Sequence, residues 1–282
     1  SLRSYAFVAG SDPSTSAPRG AAYLNASHFP LEQPRHVAWL ERRPDIRPVF
    51  FIHDLLPVLR PELFWSAEPE RHARRLELLA RRGAGAIVTS RLVAEQLREN
   101  LTGNGRENLP ILTAAPPVVP AFRMHIPKDP RLNDSTYFVV CGTIEPRKNL
   151  AAVIAAAAGL DGSHVDLVIV GPDGWNEDLE SRLAPLDDTT VRVRRMGFVT
   201  ESDLAVLYAT CAVFCYPSLR EGFGLPVLEA MAHGAPVVTS SGTATEEVAG
   251  DAALLADPHD HEAVARAVRR LVTDDGCATE MR

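Results

Sequence analysis

Lysine is almost missing: Lys128 and Lys148 stand beside 27 arginines, so a lysine inside a motif is unlikely to be an accident of composition. Cysteine is also scarce. Cys141, Cys211, Cys215 and Cys277 form no Cys-x-x-Cys pair, and three of them lie in or beside apolar stretches. Buried free thiols are expected, and a disulfide framework or thiolate metal site is not. No apolar run reaches the roughly 18 residues that span a bilayer, and no secretory signal pattern occurs, so a cytoplasmic location is expected. Gly103-Asn104-Gly105 lacks the third glycine, the preceding strand and the following acid of a dinucleotide fingerprint.

The length of 282 residues suits two domains, each with its own core, and 46% hydrophobic with 23% charged residues is a soluble globular composition. Charge is split unevenly: the balance over residues 1–127 is +4 and over 128–282 is −11, giving the net −7. Net acidity argues against nucleic acid as a partner. The basic first half fits either peripheral contact with the inner face of a membrane or an ordinary solvated helix face. Arg71, Arg74, Arg75, Arg81 and Arg82 favour the solvated face.

Strand and helix signals alternate along the chain, which predicts parallel sheets in an α/β fold. The first strong strand is Pro48 to Ile52, and a doubly wound domain ordinarily has a further strand and a glycine-bearing loop before that point, so the N-terminal, acceptor-side domain is expected to be incomplete or compressed. Helices near Glu68 to Arg82 and Arg91 to Asn100 flank a strand at Ala86 to Thr89, and a short strand follows near Leu109 to Leu112. Pro116, Pro117, Pro120, Pro127 and Pro130 crowd a linker, placing domains at 1–127 and 128–282. Further strands are expected at Tyr137 to Cys141, Val165 to Val170, Val191 to Met196, Val213 to Tyr216, Pro236 to Thr239 and Ala253 to Ala256. The helices between them fall at Asn149 to Ala158, Asn176 to Leu183, Glu201 to Thr210, Pro226 to His233 and His261 to Val272. Thr200 with Asp203 forms a capping pattern, and Gly234 ends the Pro226 helix. Ligands of such folds sit at the carboxyl ends of the strands.

One such end carries Glu221-Gly222-Phe223-Gly224-Leu225-Pro226-Val227-Leu228-Glu229. The glycines allow close backbone approach, and Pro226 suits a first helical turn whose free N–H groups attract an anion. Two carboxylates beside an anion site fit a ligand with hydroxyls as well as phosphate, which describes a sugar nucleotide. The plain alternative is a strand, turn and amphipathic helix with surface glutamates. This segment resembles the E-x7-E signature of the group 1, or family 4, retaining glycosyltransferases. The resemblance extends through separate motifs from about Phe50 to about Val272. It implies the GT-B fold, two doubly wound Rossmann-like domains facing a cleft, with Glu221 beside the donor sugar and Glu229 on the nucleotide ribose.

Gly142-Thr143-Ile144-Glu145-Pro146-Arg147-Lys148-Asn149 follows a strand, where Arg147 as a planar fork and Lys148 as a point charge suit a diphosphate. It is similar to the family's phosphate-binding pair. Arg195-Met196-Gly197-Phe198-Val199 ends another strand, and in similar proteins the backbone here meets the nucleobase. Gly171-Pro172-Asp173-Gly174 reads equally well as a cleft lining and as a tight turn. Phe51-Ile52-His53-Asp54-Leu55-Leu56-Pro57 resembles the bacterial polysaccharide mannosyltransferases of the family, which implies that His53 faces donor sugar or acceptor. Thr89-Ser90-Arg91 resembles their next strand end. His259 and His261 beside Asp257 and Asp260 are better explained by helix capping than by metal.

No Asp-x-Asp pair is present, so the cations and a helix N-terminus are expected to carry the diphosphate charge without a metal cofactor. The resemblance thus implies a hexosyltransferase, GDP-mannose being the first choice of donor, acting on a saccharide or lipid-linked acceptor in polysaccharide biosynthesis. Its catalytic group would be Glu221, Lys148, Arg147 and His53. Donor contacts would come from Glu229, Gly222, Phe223, Gly224, Leu225, Gly142, Gly197 and Phe198. A sugar-nucleotide epimerase, a phosphorylase on the same fold and a non-catalytic partner subunit remain open on sequence.

Overall fold

A computed structural model of the protein describes residues 13–27, 31–119, 122, 136–174 and 178–282. The chain divides into two compact units, Ser1–Ala115 and Pro116–Arg282. The division falls earlier than the boundary at 127/128 that the proline cluster suggests. Phe122 gives the physical reason: it is buried in the second unit's core, with its ring 5.9 Å from that of Tyr208.

The first unit is built on four parallel strands in the order β1 (Ala22–Asn25), β2 (Arg47–Ile52), β3 (Gly85–Val88) and β4 (Ile111–Thr113). β1 supplies the strand before Pro48 that a doubly wound domain needs. Only Asn25 of its four residues is buried, so no apolar run announces it. Helix α1 (Glu68–Arg82) has acids in its first turn and arginines in its last, the arrangement that complements the helix dipole. Helix α2 (Arg91–Gly103) starts where the Ser90 hydroxyl accepts the Val93 N–H at 3.2 Å. Gly103, Asn104 and Gly105 simply close this helix. Phe50, Ile52, Leu79, Val88 and Leu97 fill the core between sheet and helices.

The basic face of α1 is neutralised within the unit. Arg71 and Arg75 meet Glu32 and Glu68, Arg74 meets Glu70, and Arg81 and Arg82 meet Glu41. These arginines are ion-paired along a solvated helix face. No helix among the described residues is long and apolar enough to cross a membrane.

Beneath the end of β2, His72 is fully buried and its Nε2 lies 2.9 Å from the Asp54 carbonyl. Burial, reinforced by the Arg75 charge, lowers its pKa from 6.5 to about 4. Its folded pKa is therefore depressed: as pH falls below 6.5 the unfolded chain binds a proton that the native chain refuses. The stability lost on acidification from pH 7 to pH 4 through this residue is about 3 kcal/mol. Thermal unfolding across that range should show the loss, and His72→Gln should flatten it.

The second unit carries a six-stranded parallel sheet in the order β10-β9-β8-β5-β6-β7. The strands are β5 (Thr136–Cys141), β6 (Val165–Val170), β7 (Val193–Gly197), β8 (Val213–Tyr216), β9 (Val237–Ser240) and β10 (Leu254–Ala256). The helices are α3 (Leu150–Ala158), α4 (Leu179–Leu183), α5 (Glu201–Thr210), α6 (Leu225–Ala232), α7 (Ala244–Ala249), α8 (His261–Thr273) and α9 (Asp275–Glu280). Asn176, in the expected start of α4, lies outside the described residues. Side chains alternate across the sheet. Phe138, Leu167, Ile169, Val213 and Cys215 pack with Ala152 and Ala156 of α3 and Val264 and Val268 of α8, while Val139, Val168, Val170 and Phe214 pack with α5 and α6. Thr200 caps α5 through the Asp203 N–H, and Asp260 caps α8 through the Ala263 N–H at 2.8 Å. Gly234, at φ 69°, ends α6.

Candidate active site

β5 is paired with β6 on one side and β8 on the other, so the chain reverses its direction of winding between them. Loops leaving such neighbouring strands diverge to opposite faces and open a crevice at the carboxyl end of the sheet. The loop after β5 contains a tight 3-10 turn, Pro146–Lys148, and then Asn149 in a left-handed conformation before α3. The loop after β8 runs from Pro217 to Gly224 and opens α6. Two links bind the loops to each other. Asn149 Nδ2 donates to the Pro217 carbonyl at 3.0 Å, and the Leu219 N–H donates to the Arg147 carbonyl at 2.8 Å.

Arg147, Lys148 and Glu221 converge in this crevice. Arg147 donates to Glu221 Oε2 and Lys148 Nζ to Glu221 Oε1, each at 2.8 Å. Glu145 pairs with Arg147 at 2.5 Å. Two cations and two carboxylates thus balance. Burial pushes the Glu221 carboxyl up, but Lys148 and Arg147 outweigh it and hold the group below the usual carboxylate range. For Glu145 burial prevails over Arg147 and Lys148, and its pKa is raised. Arg147 is held above its ordinary value: burial opposes its charge, and Glu221 and Glu145 more than compensate.

Gly142 makes room for the lysine. It adopts φ 123°, and a Cβ there would stand 3.1 Å from Lys148 Cε. The Gly171 to Asp173 segment supports this loop by accepting the Ile144 N–H at the Pro172 carbonyl, 3.0 Å away, so its role is structural. Gly224 serves α6 in the same way as Gly142 serves the lysine. Its φ is 108°, and a Cβ would meet Thr245 Cγ2 at 2.7 Å. Thr245 is itself locked between the hydroxyls of Thr239 and Thr243 at 2.9 and 2.7 Å. Gly224→Ala should therefore destabilise the fold by about 2 to 3 kcal/mol. Chemical denaturation of the variant measures this.

Glu229, half-buried on α6, has its pKa raised by burial and by Glu201, against a hydrogen bond with Tyr208. Gly197 ends β7 with its carbonyl accepting the Gly171 N–H at 2.8 Å, and the neighbouring Phe198 is 85% exposed. Leu225 is also exposed, and Gly222 and Phe223 form the bend between Glu221 and α6. His53 and Arg91 belong to the first unit. The His53 side chain is exposed, edge-on to Phe51 with ring centroids 4.7 Å apart, and its carbonyl accepts from Thr89 Oγ1 at 2.9 Å. Asp54 Oδ1 accepts the Leu56 N–H at 2.9 Å, which makes it a turn residue. Arg91 opens α2.

Sequence reasoning misses Tyr216 and Glu145. Tyr216 is the last residue of an apolar strand and reads as core, yet its hydroxyl donates to Glu221 Oε1 at 2.9 Å and receives a hydrogen bond from Lys148 Nζ. Among the described residues no group of three His, Cys, Asp or Glu side chains is placed to hold a metal ion.

A profile of the family described as Glycosyl transferases group 1 matches residues 123–282, the whole second sheet and both site loops. The chain belongs to that family. The match spans Arg147, Lys148, Glu221 and Glu229. The O-antigen chain mannosyltransferase B of Escherichia coli is 40% identical over 142 residues, covering 49% of this glycosyl transferase chain and 37% of that protein. The MMP alpha-(1->4)-mannosyltransferase of Mycolicibacterium hassiacum is 31% identical over 207 residues, covering 69% of this chain and 50% of its own. The chain thus spans between about a third and a half of the length of these relatives. Anabaena Alr3699/HepE in complex with UDP-glucose shares the fold, at a TM-score of 0.71 and 18% identity over 92% of this chain and 71% of its own. The sucrose-phosphate synthase of Thermosynechococcus elongatus superposes with a TM-score of 0.72 at 22% identity, covering 99% and 69% of the two chains. The group 1 glycosyl transferase chain has the GT-B fold, built of two Rossmann-like parallel-sheet domains.

Proposed function

We propose that this chain carries the donor-binding and catalytic apparatus of a retaining mannosyltransferase. It uses GDP-mannose and a saccharide or lipid-linked acceptor in polysaccharide biosynthesis, in the cytoplasm. The observation that carries the reading is the convergence of Arg147, Lys148 and Glu221 at the point where the second sheet reverses its winding. Relatives named as mannosyltransferases support the choice of sugar.

Each residue has a chemical task in this reading. Arg147 and Lys148, with the N–H groups preceding α6, take up the charge that develops on the departing diphosphate. No metal cofactor is needed for that step. Glu221 accepts hydrogen bonds from the sugar hydroxyls once the cations turn to phosphate, and Glu229 accepts from the ribose. Phe198 and the Gly197 backbone meet the base, with Gly142, Gly222, Phe223, Gly224 and Leu225 shaping the rest of the donor site. His53 serves sugar or acceptor recognition. The acceptor hydroxyl attacks the anomeric carbon from the face that the diphosphate leaves. The carbon–oxygen bond to phosphate breaks with its electron pair on that oxygen, which then takes the acceptor's proton.

Incubation with GDP-mannose tests the assignment, with and without mannose oligosaccharides. Acceptor-dependent release of GDP, unchanged by EDTA, and a product that keeps the anomeric configuration are expected. Isomerisation of the sugar nucleotide without acceptor would instead identify an epimerase. GDP release that EDTA abolishes would overturn the metal-free reading.

A further inference from the structure

We propose that Tyr216 is a positioning residue that fixes Lys148 and Glu221 relative to one another, so that the lysine keeps an N–H aimed into the crevice for phosphate. The proposal rests on the functional reading above for its catalytic consequence, but its geometry stands on the free protein.

The directions of the hydrogen bonds carry the argument. A lysine ammonium can only donate, so the Tyr216 hydroxyl accepts from Lys148 Nζ and gives its own hydrogen to Glu221 Oε1, 2.9 Å away. Lys148 also donates to Glu221 Oε1 at 2.8 Å. These atoms form a closed triangle that engages two of the three ammonium hydrogens. Nζ also lies 4.5 Å from the centre of the Tyr216 ring, within cation–π range. The lysine's flexible stem has many rotamers, and three contacts to one site select among them.

The phenol is itself immobilised, which a positioning residue requires. Tyr216 is 3% exposed, and its ring stacks on Phe214 at 5.6 Å with an interplanar angle of 25°. Thr239 Oγ1 donates to its carbonyl at 3.0 Å. Burial, followed by the Glu221 charge, raises its pKa well above the ordinary phenol value, so the hydroxyl remains a donor at any working pH. A phenylalanine would satisfy the packing equally well, so the apolar core does not account for the hydroxyl.

The test uses the scarcity of lysine. In protein labelled with 15N and 13C at lysine, the only side-chain ammonium groups are those of Lys128 and Lys148. Tyr216→Phe should speed hydrogen exchange of the Lys148 ammonium by about tenfold, the loss of one hydrogen bond to a charged group. With GDP-mannose as donor, Tyr216→Phe should lower kcat by about tenfold and move the donor KM by less than about twofold, because the oriented charge acts on the leaving group. In a Lys148→Ala background the same change should have no further effect on kcat. Exchange of the Lys148 ammonium unaltered by Tyr216→Phe overturns the proposal. So do independent, multiplying effects of the two substitutions. If no sugar nucleotide is turned over, the functional reading fails while the exchange rates still decide the role of Tyr216.

Discussion

On the proposed function, Lys148→Ala should lower the rate of transfer from GDP-mannose by about two to three orders of magnitude, the usual effect of removing a preorganised group from developing negative charge. Among the described residues no other lysine can replace it. Lys128 lies outside the described residues, and Arg147 is already drawn between Glu145 at 2.5 Å and Glu221 at 2.8 Å. The fold should survive, because Lys148 lies in a loop held by its backbone and by Asn149, which also donates to the Pro258 carbonyl at 2.7 Å. Steady-state rates beside a melting curve separate the two effects. A rate within threefold of wild type would mean that the lysine does not act on the leaving group.

Glu221→Gln should move two quantities in opposite directions. Transfer should fall by about a hundredfold, since the charged acceptor of the sugar hydroxyls is lost. Binding of GDP itself should tighten by about tenfold, because both cations lose the carboxylate that competes with phosphate for them. The balance of charge in the free site makes this specific: Arg147 and Lys148 each spend a hydrogen bond on Glu221. A structural glutamate would weaken GDP binding when replaced. The variant should also resist acid better. The folded pKa of Glu221 is depressed, so its contribution to stability is present above its unfolded value and is lost as pH falls through the lower folded value.

Much of this centre is legible in the sequence because its chemistry is concentrated in short segments. Glycines before Pro226 and a rare lysine beside an arginine mark strand ends by composition, and the two glutamates eight positions apart carry the resemblance to the family's signature. The alternation of strands and helices likewise follows from apolar runs such as Leu167 to Val170, in a strand buried along its whole length. What escapes does so for physical reasons. Tyr216 ends an apolar strand, and only the sheet order that sets β8 beside β5 brings its hydroxyl to Lys148. β1 is short and mostly unburied, so the register with β2 is fixed by tertiary packing, including Tyr23 edge-on to Trp39 at 5.2 Å. The domain boundary is misread because prolines mark the linker region while a single aromatic, Phe122, decides which core the segment joins.

The central claim is that the crevice at the winding reversal binds the diphosphate of a sugar nucleotide through Lys148 and Arg147. Calorimetric titration of GMP, GDP and GDP-mannose into the wild-type protein and Lys148→Ala measures it directly. GDP should bind the wild type at least about tenfold more tightly than GMP, the contribution of one charge-assisted contact to the second phosphate, and that advantage should vanish in the variant. Equal affinities of GMP and GDP for the wild type, or an undiminished advantage in Lys148→Ala, would contradict the account.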